Sequence, residues 1–203
     1  MWYLRAMCSN KAKSYLALGA VGAALCLLPA CSVSVKDKNS EGAKHVDIQS
    51  PVGDLHVSEQ ADMRDSGLSV YPGAKPAPKD NSDDEKSANV NLAVPGFSLK
   101  VVAGEFLSDD STDKILSFYD KELQKYGKPI RCTGGWGHGD VDSHSKDDLA
   151  KPVTCDKGNG GDSVELKVGT EGNQHIVSVK KNDKGARFAL VYVKMHVGKD
   201  ETI

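Results

Sequence analysis

The densest group of side chains able to do chemistry lies in one loop. His138, Asp140, Asp142, His144, Asp147 and Asp148 place six possible metal ligands within eleven residues. Imidazoles set among carboxylates suit Zn²⁺, Ni²⁺ or Cu²⁺, and the alternating His138, Asp140, Asp142 and His144 form the candidate metal set. Calcium is a poor fit. In an EF-hand reading, His144 and Ser145 fall where Asp or Asn and then Gly belong, and Lys151 replaces the bidentate Glu. A solvated loop, polar because it faces water, accounts for the same composition, so both readings stay open. Trp136, in the Gly-rich start of this loop, either stacks on a ligand or folds back over the core.

Other chemistry is absent from the sequence pattern. The glycines from Gly134 to Gly139 do not follow G-x-G-x-x-G, and no Gly-Lys-Ser/Thr follows them. There is no G-x-S-x-G and no H-E-x-x-H. His45, His56, His175 and His196 fall on predicted strands without nearby partners and are expected to be exposed. No catalytic constellation is legible, and the expectation is a non-catalytic protein. No cofactor is expected beyond a divalent transition metal in the 136–148 loop.

Cysteine usage depends on the first thirty residues. Arg5, Lys11 and Lys13 precede an apolar run from Tyr15 to Leu28, and no acidic residue occurs before Cys31. These are the parts of a secretory signal over residues 1–30. Its end, Leu28-Pro29-Ala30-Cys31, resembles the bacterial lipoprotein lipobox: an aliphatic residue, a variable one, a small one, then cysteine. The resemblance implies a diacylglyceryl group on the Cys31 thiol and Cys31 as the mature N-terminus. Acyl chains anchor at about 0.8 kcal/mol per buried CH₂. It also implies a cell-envelope location, and Ser32 after the cysteine implies the outer membrane, facing the periplasm, in a host with two membranes. With Cys8 and Cys26 in the leader and Cys31 lipidated, Cys132 and Cys155 remain. An even pair in an oxidising compartment is expected to form one disulfide.

Of 26 Lys+Arg, three precede Cys31, whereas all 28 Asp+Glu follow it, so the mature part carries a formal charge of −5. That balance argues against nucleic acid, which calls for a basic surface. The expected partners are the membrane, through the lipid, and another envelope protein.

The elements that must position these residues follow from periodicity. Residues 31–44 read as a lipidated flexible tether. Val46 and Ile48, then Leu55 and Val57, alternate around Pro51-Val52-Gly53-Asp54 and predict a short hairpin. Its wording resembles a rung of bacterial adhesin-like β-solenoids, but one rung cannot bury a core. Leu68, Val70 and Tyr71 lie in an extended segment before Pro72-Gly73-Ala74, and 79–89 reads as a polar linker, so 45–89 forms a connecting region.

The α+β domain is expected over 90–203. Two strands flank Pro95-Gly96. A helix over about 111–126 follows from Ile115, Leu116, Tyr119, Leu123 and Tyr126, with an N-cap among Asp109, Asp110 and Ser111 and a stop at Gly127 and Pro129. Short strands at 130–133, 164–168 and 176–179 and a long one at 188–197 complete an antiparallel sheet with the helix on one face. Tyr71-Pro72-Gly73-Ala74, Phe106-x-Ser108-x-Asp110-Ser111 and Phe118-Tyr119 together resemble a group of uncharacterised bacterial envelope lipoproteins over residues 68–126. That resemblance implies a one-helix α+β module and an envelope location, with no assigned activity.

Overall fold

The computed structural model describes residues 32–36, 45–58, 61–78, 87–133, 145–155 and 161–198. The chain divides into two compact units, Met1–Ala30 and Cys31–Ile203, and the described residues belong to the second. The leader, Cys31 and the 134–144 stretch, with His138, Asp140, Asp142, His144 and Trp136, lie outside the described residues.

Among the described residues, ten strands build one antiparallel sheet. In chain order they are β1 (Ser32–Lys36), β2 (His45–Ser50), β3 (Gly53–Ser58), β4 (Lys75–Pro76), β5 (Ser87–Val94), β6 (Phe97–Ser108), β7 (Ile130–Thr133), β8 (Ser163–Thr170), β9 (Asn173–Asn182) and β10 (Gly185–Val197). Their spatial order is β1-β2-β3-β5-β6-β10-β9-β8-β7, and the two-residue β4 pairs with β6 beyond the end of β5. The sheet is therefore two runs of neighbouring strands joined where β6 meets β10. Between them the helix α1 (Thr112–Leu123) carries the chain from the centre of the sheet to its far edge.

The helix and the antiparallel sheet match the expected α+β class. Ser111 sits at the helix N-cap with extended backbone, but its side chain makes no capping hydrogen bond. A 3-10 turn, Gln124–Tyr126, extends α1, and Gly127 at φ 136° ends it. Ile115, Leu116, Tyr119 and Leu123, the predicted stripe, are all buried. They pack on Val102 and Phe106 of β6, Phe188 and Leu190 of β10, Val177 and Val179 of β9, and Leu166 and Val168 of β8. Each such side chain contributes roughly 1.5–3 kcal/mol by leaving water.

Three expectations need correction. Ser32–Lys36 is not free tether: it pairs with β2 from Ser32↔Gln49 to Lys36↔His45. Its Ser-Val-Ser-Val-Lys alternation has the period of a strand, a signal hidden by the surrounding charges. β5 begins at Ser87, inside the stretch read as linker, because pairing with β6 continues to Ser87↔Gly104. The 145–151 end of the long loop contains a helical turn, α2 (Lys146–Leu149).

The segment 61–78 forms a strap across α1. Leu68 is buried and Tyr71 packs on the core, while Val70 faces outward. Met63 approaches β6 at Gly104, where a Cβ would lie 2.8 Å from the Met63 sulfur. Pro72 and Gly73 close a turn in which Ala74 N–H donates to Tyr71 O at 3.0 Å, with Gly73 at φ 78° as a type II turn requires.

Candidate functional site

The helix-covered face of the sheet continues past the helix as a polar surface. Register carries it across the sheet: Asp47 pairs with His56, His56 with Asn91, Asn91 with Lys100, and Lys100 with Lys194. Directly paired residues share a face, so these five side chains form a row. On the opposite face the neighbouring positions are apolar: Val46, Val57, Val90, Val101 and Val193 in one row, Ile48, Leu55, Leu92, Leu99 and Met195 in the next.

At the β2–β3 end of the polar row, three titratable side chains converge. His56 Nδ1 lies 2.5 Å from Asp47 Oδ1, and His45 Nε2 lies 3.2 Å from Asp47 Oδ2. The two imidazoles meet edge to face with centroids 4.3 Å apart. Side-chain exposures of 34% for His45, 35% for Asp47 and 41% for His56 leave the group open to solvent on one side. Asp47, His56, Asn91, Lys100 and Lys194 also line an open depression of about 400 Å³, together with the small Ala93 and Ser98.

The expectation that His45 and His56 lack partners is therefore overturned. The turn that brings them together was legible. Pro51-Val52 as a two-residue connection pairs Ser50 with Gly53, and counting back from it pairs Asp47 with His56. His45 joins from two residues earlier on the same face.

No family model, curated protein or solved structure matches the chain. The side chains themselves must supply the functional argument.

Of the acidic residues proposed as ligands in the 138–148 loop, Asp148 has a structural role. Ser145 Oγ donates to Asp148 Oδ2 at 2.7 Å, Asp148 N–H donates to Ser145 Oγ at 3.3 Å, and Ser145 N–H donates to Asp148 Oδ2 at 3.2 Å. This is a capping box for α2. Lys151 Nζ donates to Asp148 Oδ1 at 2.6 Å and, with Ser145, holds the carboxyl well below the usual carboxylate range. The Ser-x-x-Asp spacing carried that signal in the sequence. Asp147 stands in the first turn of the same helix. Cys132 and Cys155 are joined as a disulfide with Cα atoms 5.4 Å apart.

His175, expected to be exposed, is buried. Its ring stacks between Tyr126, at 3.7 Å, and Tyr192, at 4.7 Å, and Nε2 lies 3.0 Å from Ser66 O. Only His196 of the strand histidines is exposed as expected among those outside the Asp47 group. Burial pushes the His175 pKa down, and Lys125 adds to this against the opposing Ser66 hydrogen bond. The unfolded chain thus binds the proton more readily than the folded one, and stability rises with pH across the interval between the two pKa values. Stability is expected to be intact above the unfolded value of about 6.5 and to be lost as pH falls from there through the folded value. Melting curves between pH 7.5 and 5 should show that loss shrink in His175→Gln; equal acid sensitivity in the variant would contradict the assignment.

The residues of the 68–126 resemblance meet in one place. Tyr71 Oη donates to Asp110 Oδ2 at 2.9 Å, Lys114 Nζ donates to Asp110 Oδ1 at 2.7 Å, and Asp110 N–H donates to Ser108 Oγ at 3.2 Å. The Tyr71 ring stands edge-on to Phe118 at 5.2 Å, and Phe106 stacks on Phe188 at 5.5 Å. Lys114 and Tyr71 hold the Asp110 carboxyl below its ordinary pKa, and Asp110 in turn raises that of Tyr71. These contacts latch the strap to the start of α1. They have the geometry of a structural lock, in which rings and hydrogen bonds join the strap to the helix.

Proposed function

We propose that the chain is a lipid-anchored cell-envelope protein whose Cys31–Ile203 unit is a non-catalytic binding module. The observation that carries this is Cys31, set at the foot of the apolar leader in Leu28-Pro29-Ala30-Cys31. The Cys132–Cys155 bond suits an oxidising compartment outside the cytoplasm. Among the described residues no helix is long and apolar enough to cross a membrane, and acyl chains on Cys31 supply the attachment instead. In a host with two membranes, Ser32 favours the outer one, and the module faces the periplasm. It presents a sheet edge or loop to another envelope component.

The test is Cys31→Ala in the full chain, followed by fractionation and detergent extraction. The wild type is expected in the membrane fraction with a mass beginning at Cys31 plus acyl chains. The variant is expected to lose both the added mass and the membrane association while keeping its melting temperature. An unchanged membrane fraction, or a mature mass that still contains residues 1–30, overturns the proposal.

A further inference from the structure

We propose that His45, Asp47 and His56 form a divalent transition-metal site on the β2–β3 hairpin, with Zn²⁺ the best-suited ion and Cu²⁺ or Ni²⁺ the competitors. The inference is independent of the lipid anchor and lies outside the 138–148 loop.

Three donor atoms, one from each residue, lie within 4.8 Å of one another. Two ligands bound to one ion at about 2.0–2.1 Å in tetrahedral geometry stand about 3.3 Å apart. The His45 Nε2–Asp47 Oδ2 separation of 3.2 Å meets that spacing, and His56 Nδ1 lies 2.5 Å from the other carboxylate oxygen, Oδ1, shorter by less than 1 Å. The donors are two imidazole nitrogens and one carboxylate, without thiolate. That set suits Zn²⁺, Cu²⁺ and Ni²⁺ and does not suit Mg²⁺ or Ca²⁺, which take oxygen.

The scaffold is as important as the donors. A ladder from His45↔Ser58 to Ser50↔Gly53 fixes the β2–β3 register, and β3 is held on its other side by β5. A one-residue slip would move every one of these side chains to the other face. The three donors are therefore oriented by sheet pairing and not by a loop. Asp47 and His56 also line the open depression. An ion held by three protein atoms keeps a further position there for water or a small anionic ligand, as open zinc sites do.

An ordinary surface ion cluster is the competing description. Exposed carboxylate–imidazole pairs contribute little to stability, whereas here both rings present nitrogen to a single carboxylate from two directions. The nearest lysines on the row, Lys100 and Lys194, are two and three strands from His56. Both line the same depression as Asp47 and His56.

The experiment titrates Zn²⁺ alone into the purified, chelator-treated full chain in detergent, by calorimetry and by melting temperature. One equivalent is expected to bind and to raise the melting temperature. His45→Ala and His56→Ala are expected to weaken binding by at least about tenfold, the lower end of what changes to outer-shell partners already cost. His45→Gln and His56→Gln serve as second variants that keep a polar side chain, and metal-free melting temperatures within a few degrees of wild type confirm that the hairpin is intact. His138→Ala/His144→Ala is expected to bind as the wild type does. No binding in the micromolar range overturns the site. Binding that survives the hairpin variants, or that is lost in the loop variant, overturns it equally.

Discussion

Replacing Tyr119 with alanine is expected to destabilise the folded unit by about 3–5 kcal/mol, the range for removing a fully buried aromatic side chain. Tyr119 is completely buried between the helix, the sheet and the strap. Its ring meets Phe118 at 5.0 Å and Phe188 at 5.7 Å. Its hydroxyl accepts from Tyr71 N–H at 3.0 Å and donates to Ser69 O at 3.1 Å. Burial pushes its pKa far above the ordinary phenol value, so it stays a neutral donor at any physiological pH. Tyr119→Phe separates the two contributions. It keeps the ring but leaves the Tyr71 amide and the Ser69 carbonyl without that partner, at about 1–3 kcal/mol. Urea unfolding of both variants measures the split. A loss below about 1 kcal/mol for Tyr119→Ala would mean that the strap is not fastened through this residue.

Reducing the Cys132–Cys155 bond is expected to cost about 3 kcal/mol in the chain-entropy description, for a closed loop with a sequence separation of 23. For a unit of this size that corresponds to a drop of roughly 6–12 °C in Tm. The bond ties β7, an edge strand only four residues long, to the segment that follows α2. That segment has a second set of fasteners at its other end. Val153 N–H donates to Gly169 O at 3.2 Å, Glu171 N–H to Lys151 O at 2.9 Å and Gly172 N–H to Leu149 O at 2.9 Å. Reduction should therefore expose the β7 amides to hydrogen exchange before those of β8. Melting with and without reductant, and in Cys132→Ser/Cys155→Ser, gives the magnitude. Equal Tm values in oxidised and reduced protein would contradict it.

The helix and the inner strands were legible because their signals are local. Ile115, Leu116, Tyr119 and Leu123 repeat at helical spacing, and Pro95-Gly96 separates two runs of alternating apolar residues. The 145–149 turn is equally local, since Ser145-x-x-Asp148 spells its cap in the same residues whose carboxylates read as ligands. The burial of His175 is not local. It comes from Tyr126, 49 residues earlier, and Tyr192, 17 later, and no window of sequence contains both. The His45–Asp47–His56 group lies between these cases. Its cross-strand register follows from the Pro51-Val52 turn, but recognising it requires the pairing to be counted out and the three side chains assigned to one face.

The junction of the two strand runs governs the order in which the molecule can assemble. β6 and β10 pair over residues separated by 78 positions at one end, Ser108 with Ala186, and by 100 at the other, Phe97 with Val197. β10 is the last of the described strands in chain order and lies beside the central β6 of the finished sheet. Until it arrives, β6 presents a bare edge on one side and β9 presents another, and Val102 and Phe106 lack the strand beside them. Contacts of such long range slow folding and prolong the exposure of unpaired edges. The β1–β6 part can zip into its own meander as it emerges, but the core closes only when the chain has delivered β10.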